Sequence, residues 1–236
     1  MSLLTDTHCP ILCSSPPRLR PRPSLPCPPS PGCQSLTFQN GLELEALAES
    51  FIEKWDEYAD REFTSNEYGF DFVSRQTEYE ENVWTLAKAF VPDLTLDHII
   101  HFRENMVDMI PLFDNRLTVF SRPDFEGKRC LITKIKMPMV LSDRSFVNLY
   151  YSINKPDGSL VSIASSKGSE EVVAASSSII KKNVVANNII QYVRSIPRDG
   201  GCDIIYVQAM DIAGSIPDAL KRSAAADQAR SAMTQL

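Results

Sequence analysis

The sequence predicts an α+β fold in which a long antiparallel meander is closed by one C-terminal helix. Three observations predict it. Four strand-like runs, SFVNLYYSI from Ser145, LVSIA from Leu160, VVANNIIQYV from Val184 and DIIYVQAMDI from Asp203, follow one another in the last third of the chain. Turn chemistry separates them: NKPDG after Ile153, Lys167–Gly168, and PRDGG from Pro197. A helical pattern then starts near Ser215, with Pro217 close to its first position, where a missing N–H is harmless. No catalytic cluster lies among these elements. A meander closed by a helix builds a cavity, which points to a binding protein before an enzyme.

The elements follow in order from the N-terminus. Nine of the sixteen prolines precede Asn40, mixed with Ser and Cys. Such a segment buries too little apolar surface to offset the entropy of ordering, so residues 1–40 read as a disordered tail and residues 41–236 as one folded domain. Leu44, Leu47, Phe51, Trp55 and Tyr58 recur every three or four positions, the mark of an amphipathic helix over residues 42–58. Residues 68–73 and 82–91 read as two strands, the second ended by Pro92. Thr95 caps a helix predicted over Leu96 to Ile110, with Asp97 in its first turn and Pro111 as its stop. Strands follow at Leu117–Ser121 and Cys130–Met137. In the latter Leu131, Thr133, Ile135 and Met137 share a face opposite Lys134 and Lys136. The final helix presents Ile216, Leu220, Ala224 and Met233, padded with alanines. The predicted order is helix, two strands, helix, six strands, helix.

Composition excludes several classes. Net charge is −6, and because the tail carries Arg18, Arg20 and Arg22 against Asp6, the remainder stands near −8. That balance argues against nucleic acid, whose phosphates need a basic stripe. No run approaches the roughly 18–20 apolar residues of a membrane span, and the N-terminus lacks the order of a secretory signal, so the expected location is cytoplasmic. Cys9, Cys13, Cys27 and Cys33 do not make a zinc pattern; Cys130 and Cys202 read as small buried hydrophobes. His98, His101 and Glu104 are the one metal-like group. Their spacing departs from that of a zinc hydrolase, and a polar helix face is the simpler reading. No Gly-x-Ser-x-Gly or phosphate-binding glycine loop occurs. No metal or cofactor is expected.

Two segments carry a resemblance. SDRSFV from Ser142 to Val147 resembles a "Pro/Ser-x-Arg-Asp-Phe-Val" strand opening, and IIYVQAMDIAGSIP from Ile204 to Pro217 resembles the closing "Thr-x-Val-x-Tyr-Val-x-Gln-x-Asp-x-x-Gly-x-Leu-Pro" of the START domain. This is the lipid-transfer domain named after the steroidogenic acute regulatory protein, within the helix-grip superfamily. The resemblance runs over roughly residues 45–236 by element order and is specific only in those two segments. It implies a curved antiparallel sheet wrapped around a long C-terminal helix, with an internal hydrophobic tunnel for one lipid or similar apolar ligand. It also implies transient membrane contact, a monomer, and a gating loop at Met139, Val140 and Leu141; the alternative for that loop is simple tucking into the core. The chain departs from the pattern in having Arg144–Ser145 where the family has Arg-Asp. Tyr150 stands where sterol-binding members carry an inward arginine, and Lys134 and Lys136 lie on the strand before.

The candidate ligand contacts are Asn148, Tyr150, Gln191, Arg194, Tyr206, Gln208, Met210 and Leu220. Period-2 spacing puts Val147, Leu149, Tyr151 and Ile153 on one face and Phe146, Asn148, Tyr150 and Ser152 on the other. Hydrophobicity alone would bury the first set, whereas the resemblance turns the second into the tunnel. In the next long strand Asn187, Ile189, Gln191 and Val193 alternate with Asn188, Ile190, Tyr192 and Arg194. Arg194 is either a headgroup anchor or a solvated edge charge. The expected function is non-catalytic binding, transfer or sensing of one apolar ligand. The alternatives are a helix-grip enzyme, a cyclase or hydrolase, for which His98 and His101 are the only histidine candidates in the folded part, and a domain with a collapsed cavity that only binds other proteins.

Overall fold

The computed structural model describes residues 31–57, 62–65, 72–79, 81–122, 129–137, 141–214, 216–217 and 221, with side chains from residue 40 except at 62–65. The first helix, α1 (Pro31–Glu53), runs into a short 3-10 turn (Trp55–Glu57). Strands β1 (Glu62–Ser65), β2 (Phe72–Tyr79) and β3 (Asn82–Pro92) follow, then helices α2 (Leu96–Glu104) and α3 (Met106–Phe113). Strands β4 (Leu117–Ser121), β5 (Arg129–Ile135), β6 (Arg144–Asn154) and β7 (Leu160–Ser165) lead to helices α4 (Glu170–Ala175) and α5 (Ser177–Ile180). The long strands β8 (Val184–Arg198) and β9 (Gly201–Asp211) complete the described elements.

Among the described residues the nine strands form one curved sheet in the order β1-β2-β3-β9-β8-β7-β6-β5-β4. Every neighbouring pair is antiparallel, and the start of β6 also runs parallel to the start of β8, Arg144 opposite Val184. That extra contact exists because β7 is short. β6 and β8 both extend past its end and meet there.

The two faces of the sheet are covered differently. Leu44, Ala48 and Phe51 of α1 and Trp55 of the 3-10 turn pack on Trp84, Leu86, Ile132, Val147, Leu149, Tyr151, Val161, Ile163, Tyr192 and Val207. The rings of Phe51 and Trp84 stack, with centroids 3.9 Å apart. Arg75 and Lys88 lie over the Trp55 ring at 4.9 and 4.4 Å. Gly41 lets the helix come this close, since a Cβ there would sit 3.2 Å from the Tyr151 ring. The opposite face, called here the inner face, packs on Leu94 and Ile99 near one end, on Met106 and Ile110 of α3, and on Ile212 and Ile216.

Several expectations need correction. The helix predicted over 96–110 is two helices, broken at Asn105. The Asn105 side chain donates to the His101 carbonyl at 2.7 Å, and its backbone N–H bonds to the same turn, which ends α2. Pro111 does not stop the second helix, which continues to Phe113 and closes through Asp114 N–H on Ile110 O. The strand expected at 68–73 is instead Phe72–Tyr79, and β1 adds a ninth strand. The turn expected from Pro197 is tighter, because β8 runs on to Arg198 and β9 starts at Gly201. Helices α4 and α5 were not anticipated. They fasten to the α1 side of the sheet through Val172 and Ile180. The helix expected from residue 42 starts at Pro31. The C-terminal helix, and with it Leu220, lies outside the described residues, as does the tail to residue 30. Among the described residues no helix is long and apolar enough to cross a membrane.

Candidate functional site

The inner face holds most of the predicted contacts. In register, Tyr150 of β6 stands opposite Ala164 of β7, Ala164 opposite Gln191 of β8, and Gln191 opposite Gln208 of β9. Paired residues share a face, so Asn148, Tyr150, Gln191, Tyr206, Gln208 and Met210 all project the same way. Asn148, Tyr206 and Gln208 are buried, and Tyr150 and Gln191 half-buried. The conflict between hydrophobicity and resemblance on β6 resolves because both of its faces are covered. The apolar set Val147, Leu149 and Tyr151 lies under α1, which leaves the more polar set on the inner face.

β8 departs from strict alternation. Its register slips between Asn188 and Ile190, so Asn188 pairs with Met210 while Gln191 pairs with Gln208. This bulge puts Asn188 and Gln191, three residues apart, on the same face. The expected grouping of Asn187 and Ile189 with Gln191 therefore fails at this point.

Arg194 stands apart from the others. It donates to Asp157 at 2.7 Å, to Ser159 Oγ at 3.2 Å and to Glu49 of α1 at 3.4 Å, on the face that α1 covers. The Tyr192 hydroxyl donates to the same Glu49 carboxylate at 2.6 Å, and burial pushes its phenol well above the ordinary range. Of the loop expected to gate the site, Met139 and Val140 lie outside the described residues and Leu141 is half-buried. The rim of that loop is tied down: Met137 N–H donates to Asp143 at 3.0 Å. Arg144 is 4 % exposed and donates to the carbonyls of Ser142, Ile212 and Ala213.

The inner-face polar groups act as neutral hydrogen-bonding groups. The Tyr206 hydroxyl donates to Gln208 Oε1, and burial drives its pKa upward. Burial also pushes the Tyr150 hydroxyl up to about 12, against smaller opposing effects of Asn148, Arg129 and Arg103. Both phenols are therefore protonated donors at neutral pH. Gln76 Nε2 lies 3.5 Å from Thr85 Oγ1, farther along the same face. The hydroxyls of Ser162 and Ser195, also on this face, are buried without a partner.

Sequence reading missed two charged members of this face. Arg129 is the register partner of Tyr150, and the alternation Leu131, Thr133, Ile135 leads back to it. Lys134 and Lys136 are not its equivalents. Lys134 stands opposite Ser145, with its ammonium 5.8 Å from the Phe120 ring. Arg103 follows buried Ile99 by one helical turn and donates to Ser152 Oγ of β6. Ile99 was the available signal for it.

The histidines have a local role. His98 completes a capping box at the start of α2: its N–H donates to Thr95 Oγ1 at 3.3 Å and its Nδ1 accepts from Thr95 N–H at 3.4 Å. His101 lies 3.3 Å from the Asn105 amide at the other end, and both histidines are exposed. Among the described residues no three His, Cys, Asp or Glu side chains gather as metal ligands. Cys130 and Cys202 are buried free thiols, and burial raises the pKa of Cys202, which disfavours its nucleophilic form. This arrangement can orient a bound molecule by hydrogen bonds.

No family model matches the chain, and no curated protein sequence does. Solved structures do. Human StAR-related lipid transfer protein 5 is 17% identical with a TM-score of 0.57, over 86% of this chain and 93% of that one. The human StarD13 (DLC2) lipid transfer and protein localization domain is 14% identical with a TM-score of 0.53, over 80% and 96%. Human STARD10 is 13% identical with a TM-score of 0.53, over 79% and 76%. The chain has the START helix-grip α+β fold.

Proposed function

We propose that the chain binds one lipid, or a similarly apolar molecule, against the inner face of its sheet, and transfers or senses it without chemical change. The observation that carries this reading is the set of buried polar side chains on that face. Asn148, Gln208 and Tyr206 are each under a tenth exposed, and the Ser162 and Ser195 hydroxyls have no protein partner. A folded chain seldom leaves such groups unsatisfied, because each costs about 1–3 kcal/mol. Apolar walls with a few polar groups are what a ligand site needs to hold and orient an amphiphile. The likeness to proteins whose names describe lipid transfer supports the same reading.

In this reading residues 41–236 form the binding domain and residues 1–40 an appended tail. Affinity comes from burial of the ligand's hydrocarbon at about 25 cal/mol per Å². Met139, Val140 and Leu141 serve as the gate, opening where the protein touches a membrane, and Leu220 is a further ligand contact. The protein works as a cytoplasmic monomer.

Native mass spectrometry of the full chain, after incubation with a mixed lipid extract, tests this. The expected result is a one-to-one adduct whose mass identifies a lipid on release. A bare protein across sterols, phospholipids and ceramides would remove the reading.

A further inference from the structure

Two arginines of the inner face, Arg103 and Arg129, have no counter-charge among the described residues. Arg129 of β5 and Arg103 of α2 are both half-buried and flank Tyr150, and neither has a carboxylate partner among the described residues. Burial, and after it the like charge of nearby Arg129, lowers the pKa of Arg103. A guanidinium remains charged in proteins, so this arrangement is repulsive and partly desolvated at neutral pH. Other cations of the chain do have carboxylates, as Arg194 has Glu49 and Asp157 and Lys155 has Glu45. Polar groups lie beside Arg103 and Arg129 instead. Ser152, which receives the Arg103 bond, pairs in register with Ser162, whose hydroxyl is unpartnered. Apolar Leu131, Met106 and Phe102 adjoin Tyr150 and supply a wall for hydrocarbon.

We propose that Arg103 and Arg129, with Tyr150 and Ser162 beside them, form a subsite for one oxyanionic headgroup, so that the ligand is a net-anionic lipid bearing a phosphate or carboxylate. The inference rests on the lipid-binding reading above and adds the headgroup class to it. Two guanidinium forks converge on an oxyanion with geometry that an ammonium cannot match, and the anion relieves their mutual repulsion. The neutral Tyr150 hydroxyl adds a donor that stays protonated throughout the physiological range.

The test uses chain-matched lipids and the full protein. Native mass spectrometry compares retention of dioleoylphosphatidic acid with dioleoylglycerol, and of oleic acid with oleyl alcohol, with inorganic phosphate as a separate arm. The expected result is at least about tenfold preference for the anionic member of each pair. Arg103→Gln and Arg129→Gln each lose that preference while keeping the neutral lipid, Arg129→Lys regains part of it, and Lys134→Gln on the other face changes nothing. Retention of the neutral lipid without loss of fold shows that the variants remain assembled. Equal retention within each pair, or a preference that survives both glutamine variants, overturns the subsite and leaves lipid binding standing. Binding of inorganic phosphate without retention of any anionic lipid also overturns it, because the site would then serve a free anion. Retention of none of the four lipids overturns the lipid-binding reading itself.

Discussion

Asp157 shows how much one turn residue contributes to pH behaviour. Its carboxylate accepts from the Ser159 hydroxyl at 2.6 Å and from its N–H at 2.9 Å, and it pairs with Arg194 at 2.7 Å. Together these hold its pKa at about 2, the Ser159 hydroxyl bond contributing most. The folded value is depressed relative to about 3.9 in the unfolded chain. The stabilisation is therefore complete above about pH 4 and is lost as pH falls through about 2. Melting curves between pH 5 and 2 should show a fall in Tm for the wild type, and a smaller fall for Asp157→Asn. A second residue-scale expectation concerns Tyr192→Phe, which deletes the 2.6 Å bond to partly exposed Glu49 and should cost about 1 kcal/mol in urea unfolding. At this scale the sequence was readable where alternation held, as at Asn148, Tyr150 and Gln208. For Arg194 it left a headgroup anchor and an edge charge as alternatives, because the direction of that side chain depends on carboxylates 37 and 145 residues away.

At the scale of elements, two fastenings organise the molecule. The first is α1, whose Phe51 stacks on Trp84 of β3 while Glu45 and Glu49 pair with Lys155 and Arg194. Phe51→Ala should cost about 3–5 kcal/mol in denaturant unfolding and leave the headgroup preference of bound lipid unchanged, since the ring lies on the α1 face. The second is Arg144, which ties the start of β6 to the backbone at 212–213. Gly214, next to this backbone, has φ 83° in the left-handed region that favours glycine. Arg144→Met would leave those carbonyls unsatisfied, and hydrogen exchange at residues 212–214 should accelerate well beyond any change elsewhere in β9. The amphipathic period of α1 and the N-cap of α2 at Thr95 were legible because they are local. The break at Asn105 and the bulge in β8 were not. The first depends on a side-chain bond from Asn105 to His101 O that helical periodicity does not reveal, and the second on a cross-strand register that no short window contains. Helices α4 and α5 escaped notice because six and four residues carry too little periodicity to read.

For the whole molecule, the sheet order explains how the polar groups of distant strands come to share one face. β9 pairs with β3 and β8, so the last strand joins the N-terminal hairpin to the central meander and makes one continuous surface from β1 to β4. α1 occupies one side of it, which leaves the buried polar groups of β6, β8 and β9 together on the other. The order of elements and the two START-like segments indicated this architecture, and the solved structures of the same fold agree with it. The covering of each face was beyond a single sequence, since hydrophobicity alone would bury only the Val147 face of β6. The most direct measurement is photo-crosslinking of the full chain with an oleoyl lipid carrying a diazirine in its acyl chain, followed by peptide mapping. The account predicts labels on inner-face positions of β6, β8 and β9, such as Tyr150, Gln191 and Gln208, and none on Tyr192 or Val207. Labels on the α1 face, or spread evenly over exposed residues, would contradict it.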